Sequence, residues 1–218
     1  MKKIEILYED ESCLVINKPA GLAVQGGVGV KTSLDKILAE NYNPAPLLVH
    51  RLDKDTSGVI LTAKTKTSAA QFSRLLAPHS TSRKIYIAVC AGRFAAEKGC
   101  FKFDLQIDGS SKKAETRYTV IGNGKIEADD FVCEYSVLEL ELGTGRMHQI
   151  RRHLAMNGTP VLGDDKYGDF SLNKKLRKVI RLKRLLLHAR RLVISEYNLD
   201  VTAPLPPEFE EFCHVLLR

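Results

Sequence analysis

Tryptophan is absent from the 218 residues, and so are several features that would place a chain in a class at once. No apolar run approaches the roughly 18–20 residues of a membrane-spanning helix. The sequence reaches Glu5 before any apolar stretch develops, which speaks against a secretory signal peptide. Cysteine is sparse. Cys13, Cys90, Cys100, Cys133 and Cys213 are scattered, odd in number and without a Cys-x-x-Cys pair. That spacing excludes a disulfide framework and predicts buried free thiols in a reducing cytoplasm. Repeats, low-complexity tracts and long linkers are missing too. Two cofactor signatures fail on inspection. In Gly26-Gly27-Val28-Gly29-Val30-Lys31-Thr32, valine stands before the lysine where a phosphate-binding loop needs glycine, and the first motif glycine is lacking. His148 and His153 are five apart with no glutamate between them, so they do not make a zinc-binding helix pair. Neither a metal nor a nucleotide cofactor is expected.

Acidic residues are absent from Lys174 to Arg191, where nine bases stand (Lys174, Lys175, Arg177, Lys178, Arg181, Lys183, Arg184, Arg190, Arg191). The chain carries 33 basic and 26 acidic residues, so outside this segment 24 bases meet 26 acids. The formal surplus of +7 is therefore local. This excludes a uniformly basic packaging protein and suggests a patch for a polyanion. With no phenylalanine in the segment, phosphate backbone is a more economical partner than a membrane surface.

What remains is ordinary globular composition, 44% hydrophobic and 27% charged, in a length that suits one domain, 1–218, with two lobes. Two strands, Ile4–Tyr8 and Cys13–Asn17, flank an acidic turn and form a hairpin. A helix is expected from Thr32 or Ser33 to Asn41, and another from Thr67 to Ala77 before Pro78. Leu47–Val49, Val59–Ala63, Arg83–Ala91, Ala114–Ile121, Phe131–Leu142 and Leu192–Ser195 read as strands. Arg83–Ala91 alternates, with Ile85, Ile87 and Val89 on one face and Lys84, Tyr86 and Ala88 on the other. Arg146–Asn157 reads as a helix with Met147, Ile150 and Leu154 inward, and with His148, Arg151 and Arg152 on a polar face. The first half of the basic segment can form an amphipathic helix. Pro206–Leu217 reads as a final helix with Phe209, Phe212, Cys213 and Leu216 inward. Strands outnumber helices and do not alternate strictly with them, so the expected class is α+β.

Asp53 and Asp55 lie in a turn between apolar segments. Asp55 suits plain turn chemistry. Asp53 is flanked by Arg51 and Lys54, and a guanidinium beside a carboxylate keeps it ionised and oriented, as a nucleophile or base requires. Tyr86 is either an amphipathic packing residue or a ring stacked on a base.

His50-Arg51-Leu52-Asp53-Lys54-Asp55-Thr56-Ser57-Gly58 resembles the signature of the RluA family of pseudouridine synthases, His-Arg-Leu-Asp-x-x-Thr-Ser-Gly. Four further segments resemble that family's motifs in order: Asn17–Leu22, Arg83–Tyr86, Thr144–His153 continued by Gly158–Asp164, and Leu185–Ala189. The resemblance implies a pseudouridine synthase fold, a mixed and largely antiparallel central sheet in two lobes flanked by helices and loops, with the active site in a cleft. It implies an enzyme that isomerises uridine in ribosomal or transfer RNA without metal or cofactor. Asp53 matches the catalytic aspartate, Tyr86 the active-site tyrosine, and Arg151 the arginine that pairs with the aspartate. Arg51 matches a residue that fills the stack when the nucleotide is extruded, and His50 stands beside it in the signature. Leu187, or its neighbour Leu186, matches an apolar pocket wall. Arg146 and His148 belong to the long motif and are expected at the substrate. Lys174, Lys175, Arg177 and Lys178 lie between motifs and are expected to grip RNA. Many members carry a small N-terminal RNA-binding domain of the S4 type; here the pattern begins almost at residue 1, so that domain is not expected. A monomer in the cytoplasm is the default expectation. A non-catalytic RNA-binding protein on the same scaffold, or a nucleosidase-like hydrolase, are the competing readings.

Overall fold

The computed structural model describes residues 4–78, 80–128, 131–209 and 212. In chain order its elements are β1 (Glu5–Glu9), β2 (Cys13–Lys18), α1 (Leu34–Asn41), β3 (Leu47–Leu48), β4 (Ser57–Ala63), α2 (Lys66–Leu75), β5 (Arg83–Ala91) and β6 (Lys98–Phe101). There follow β7 (Leu105–Ile107), β8 (Ser110–Lys112), β9 (Thr116–Ala128), β10 (Phe131–Leu142), α3 (Gln149–Met156), α4 (Phe170–Val179), β11 (Leu187–Ile194) and β12 (Leu199–Thr202). The chain divides into two compact units. One comprises Met1–Lys84 and Ala189–Pro204, the other Ile85–His188 and Leu205–Arg218.

In the first unit β2 is paired antiparallel with β1 on one side and with β4 on the other, with Ile16 opposite both Ile6 and Ile60. β3 pairs antiparallel with the end of β4, and β12 with the end of β11. Period-two alternation decides what each face does. Cys13 and Val15 of β2 and Val59, Leu61 and Ala63 of β4 share one face, packed with Phe72 and Leu75 of α2 and with Leu192 and Ile194. Every residue of β4 is buried, which is why it reads as an unbroken apolar run. α2 starts one residue earlier than its periodicity suggests, because Thr65 and Ser68 close a capping box around its first turn. Gly58 opens β4 at φ +111°, and a Cβ there would lie 2.1 Å from the Ala189 carbonyl oxygen. No other residue fits.

The second unit is built on β5, β10, β9 and β6, with antiparallel pairing at each step. β5 has the bounds its sequence predicts, and its alternation is real. Both of its faces are nonetheless covered from Ile85 to Cys90, so Tyr86 sits on a buried face and not on a polar one. The short strands β6, β7 and β8 carry no alternation and are not legible in the sequence. β11 begins at Leu187, five residues before the expected strand, and Leu185, Leu186 and Leu187 are all buried.

Three further expectations change. α3 spans only Gln149–Met156, and Met147 is exposed instead of inward. Cys100 is an exposed thiol on β6, while Cys13, Cys90 and Cys133 are buried as expected. The final helix is described only as a turn at Pro207–Phe209 and at Phe212. Both phenylalanines are buried, and the rest of that segment, with Cys213 and Leu216, lies outside the described residues.

Candidate active site

The signature loop leaves β3 and enters β4 in the first unit. Asp53 accepts the Thr56 amide at its carbonyl oxygen (3.2 Å), closing a tight turn over Lys54 and Asp55. Two further tethers hold that turn. The His50 Nε2 accepts the Leu61 N–H at 2.9 Å, so the imidazole is neutral with its proton on Nδ1. Burial, helped by the positive charge of Lys84, pushes the His50 pKa down to about 3. Lys18 is fully buried, and its ammonium donates to the carbonyls of Pro19 (3.0 Å), Leu22 (2.8 Å) and Lys54 (2.9 Å). Three donors meet three carbonyls, so the loop after β2 is tied to the residue that follows Asp53. Arg51 is exposed, Leu52 is buried beneath it, and the Asp53 side chain is half-buried. The Thr56 hydroxyl is buried without a hydrogen-bond partner among the described residues.

In the second unit Tyr86 stands on β5 opposite Leu140, 8% exposed. Arg151 is buried on α3. Its Nε and Nη2 both donate to the Asp164 carboxylate at 2.7 Å, and Nη2 lies 3.5 Å from Asp165. Of the expected polar face Arg151 is therefore internal, while His148 and Arg152 are half-buried. Burial would raise the Asp164 carboxyl, but hydrogen bonds from Arg151 and from the Tyr167 and Lys166 amides outweigh it and hold the group below its ordinary value. The Tyr167 ring lies under the guanidinium at 5.3 Å, and its phenol meets the His148 Nδ1 at 3.0 Å. His148 sits at φ 54° in front of α3.

Gln149 explains why the helix starts late. Its side chain accepts from the Thr144 hydroxyl and the Arg146 amide, and donates to the Glu115 carbonyl and Thr116 hydroxyl. The turn 144–148 is wrapped around a buried amide instead of continuing as helix. Arg146 donates from Nε to the Lys113 carbonyl at 3.3 Å. Leu186 and Leu187 are both buried.

Lys174, Lys175, Arg177 and Lys178 are exposed on α4, which seats only Asn173 and Leu176. The Lys175 ammonium lies 5.5 Å from the Phe131 ring centroid. Asn173 bonds the Asp164 carbonyl (2.8 Å) and the Gly163 amide (2.9 Å), so α4 rests on the loop that holds Arg151. The basic segment is not one patch. Arg184 faces Glu208 at 3.6 Å, Arg190 bonds the Ala203 carbonyl, and Arg191 pairs with Asp200.

The structure thus groups Arg151, His148 and Tyr167 around Asp164 in one unit, and His50, Asp53 and Lys18 in the other. Lys18, Gln149, Asp164 and Tyr167 hold these groups in place without standing out in the residue pattern, although three of the four lie inside the motifs.

A family model described as RNA pseudouridylate synthase matches residues 12–156. Ribosomal large subunit pseudouridine synthase C of Rickettsia prowazekii (strain Madrid E) is 37% identical over 206 residues, covering 88% of this chain and 63% of the relative. RNA pseudouridine synthase 4, mitochondrial, of Arabidopsis thaliana is 36% identical over 196 residues, covering 75% of this chain and 40% of the relative. Among solved structures, human RNA pseudouridylate synthase domain containing 4 has TM-score 0.77 and 27% identity over 98% of this chain and 93% of that one. Human RNA pseudouridylate synthase domain containing 1 has TM-score 0.77 and 26% identity over 94% and 84%. The signature turn, the motif order and these matches converge, and the chain belongs to the RNA pseudouridylate synthase family.

Proposed function

We propose that this chain is an RNA pseudouridine synthase acting on uridine in structured RNA, of the large ribosomal subunit, transfer RNA or both. The observation that supports it most is the Asp53 turn, a half-buried carboxylate on a backbone tied by the Thr56 amide, by His50 through Leu61, and by Lys18 through the Lys54 carbonyl. A carboxylate on so fixed a backbone suits a nucleophile or base, which must meet its target without rearrangement. The reaction breaks the bond from ribose C1′ to N1 of the uracil and turns the base. It then forms a bond from C1′ to C5, with the C5 proton released and N1 protonated. It is an isomerisation and consumes no co-reactant.

Asp53 acts on the target nucleotide, Tyr86 stacks on its base and Arg151 keeps the catalytic charge ionised. A paired or stacked uridine cannot present its glycosidic carbon, so it is extruded, with Arg51 filling the gap and Leu187 or Leu186 walling the pocket. Arg146 and His148 lie at the substrate. The α4 cations Lys174, Lys175, Arg177 and Lys178 take phosphates, offsetting the cost of extrusion.

Tritium release from RNA labelled at uracil C5 tests this reading. The wild-type chain should release it, and Asp53→Asn should cut release by roughly a thousandfold or more, the scale of removing a nucleophile. Near-wild-type release from Asp53→Asn would sink the assignment, and free uracil in the products would point to a hydrolase instead.

A further inference from the structure

Arg151 is held more tightly than a surface-seeking side chain needs. Asp164 takes one edge of the guanidinium, Nε and Nη2, with two parallel bonds of 2.7 Å. The Tyr167 ring lies under its plane at 5.3 Å. An edge grip stops rotation in the plane and a face contact stops tilt out of it, so the direction of the Nη1 end is fixed.

The clamp is itself over-determined. One Asp164 oxygen accepts the Lys166 and Tyr167 amides, each at 2.9 Å. Asn173 bonds the Asp164 carbonyl, and a Cβ on Gly168 would lie 2.3 Å from that same oxygen. The Tyr167 phenol is tied to His148, the residue that turns the chain into α3. A buried ion pair is a poor device for stability, because apolar residues of equal volume do as well or better. What it supplies is direction.

We propose that Asp164 and Tyr167 are positioning residues that aim the Arg151 guanidinium, Asp164 by its edge and Tyr167 by its face. The proposal rests on the reading of Arg151 as part of the catalytic machinery. Asp164 and Tyr167 act on turnover only through Arg151, and add nothing to RNA binding.

The test uses the full chain and total RNA, tritiated at uracil C5, from a strain lacking its gene. Maximal single-turnover release, half-saturating enzyme concentration and thermal midpoint are measured for each variant. Asp164→Asn should lower the maximal rate at least tenfold, with the half-saturating concentration changed less than twofold. Added to Arg151→Lys, which is slow by itself, it should lower the rate less than a further twofold. Multiplying effects would mean that Asp164 is merely structural and would overturn the proposal. Should Asp164→Asn fail to fold, Tyr167→Leu, which leaves both charges in place, carries the test with a fall of threefold or more. Tyr167→Phe, which keeps the ring and loses only the bond to His148, should slow turnover less than Tyr167→Leu does. Tyr167→Leu at the wild-type rate would again overturn the idea. A wild-type rate for Arg151→Lys would remove the catalytic reading of Arg151 and the proposal together. A slow Arg151→Lys beside a fast Asp164→Asn would remove the proposal alone.

Discussion

The two units fix their key side chains by opposite means. In the first, the turn that carries Asp53 is held through its backbone, by an uncharged imidazole, an amide, and an ammonium that spans three carbonyls. In the second, Arg151 is held by a carboxylate, charge against charge, away from water. The first arrangement fixes the chain that carries a side chain, and the second fixes the side chain itself. A guanidinium has donors to spare and can give one edge to a partner while keeping its direction.

Substitutions separate the two strategies, and the ionic one should break hardest. Asp164→Ala takes away the buried guanidinium's bidentate partner, with the exposed Asp165 at 3.5 Å a weaker counter-charge, and should cost about 3 kcal/mol, read as a lower urea midpoint. Lys18→Met strips three carbonyls of their donor, that of Leu22 in a fully buried bond, and should cost about 2–3 kcal/mol, with loss of activity on warming before global unfolding. A Lys18→Met chain as stable as wild type would show that the carbonyl cradle is ornamental.

The pH dependence distinguishes them further. His50 is depressed in the folded state, so below its ordinary value of 6.5 the unfolded chain binds the extra proton. Stability is full above that value and falls as pH drops toward 3. Wild type should lose about 2 kcal/mol from this group between roughly pH 7 and 5, and His50→Gln should lose that much less there in denaturant titrations. Asp164 is also depressed, but as an acid, so its contribution is lost only at lower pH, as the medium falls through its folded value. The smallest stability effect belongs to α4. Replacing Lys174, Lys175, Arg177 and Lys178 by glutamine should shift stability by about 0.5 kcal/mol or less. The same change should flatten the salt dependence of RNA binding by up to about three in slope. An unchanged slope would remove α4 from the RNA interface.

Much of this was legible before any coordinates. The signature, its place between two apolar strands and the bounds of β5 follow from residue pattern alone. What the pattern hides is partnership with backbone. Lys18 reads as one more surface lysine because its acceptors are carbonyls, which every residue has. Gln149 reads as a helix residue because two of the four partners of its side chain, Glu115 and Thr116, are distant in sequence. Asp164 was visible as a motif letter, but not as the partner of Arg151, because thirteen residues and a helix end separate them. The basic run misled in a different way. Charge counting treats it as one block, whereas the chain divides it. The α4 portion remains in solvent, while Arg184, Arg190 and Arg191 are paired within their own units.

The buried Lys18 ammonium also makes the protein its own recorder of opening. Amine-acylating reagents reach the exposed Lys54 in the native fold, but Lys18, with no accessible surface, reacts only when the cradle of carbonyls comes apart. The ratio of label on these two lysines reports how often the Asp53 turn lets go.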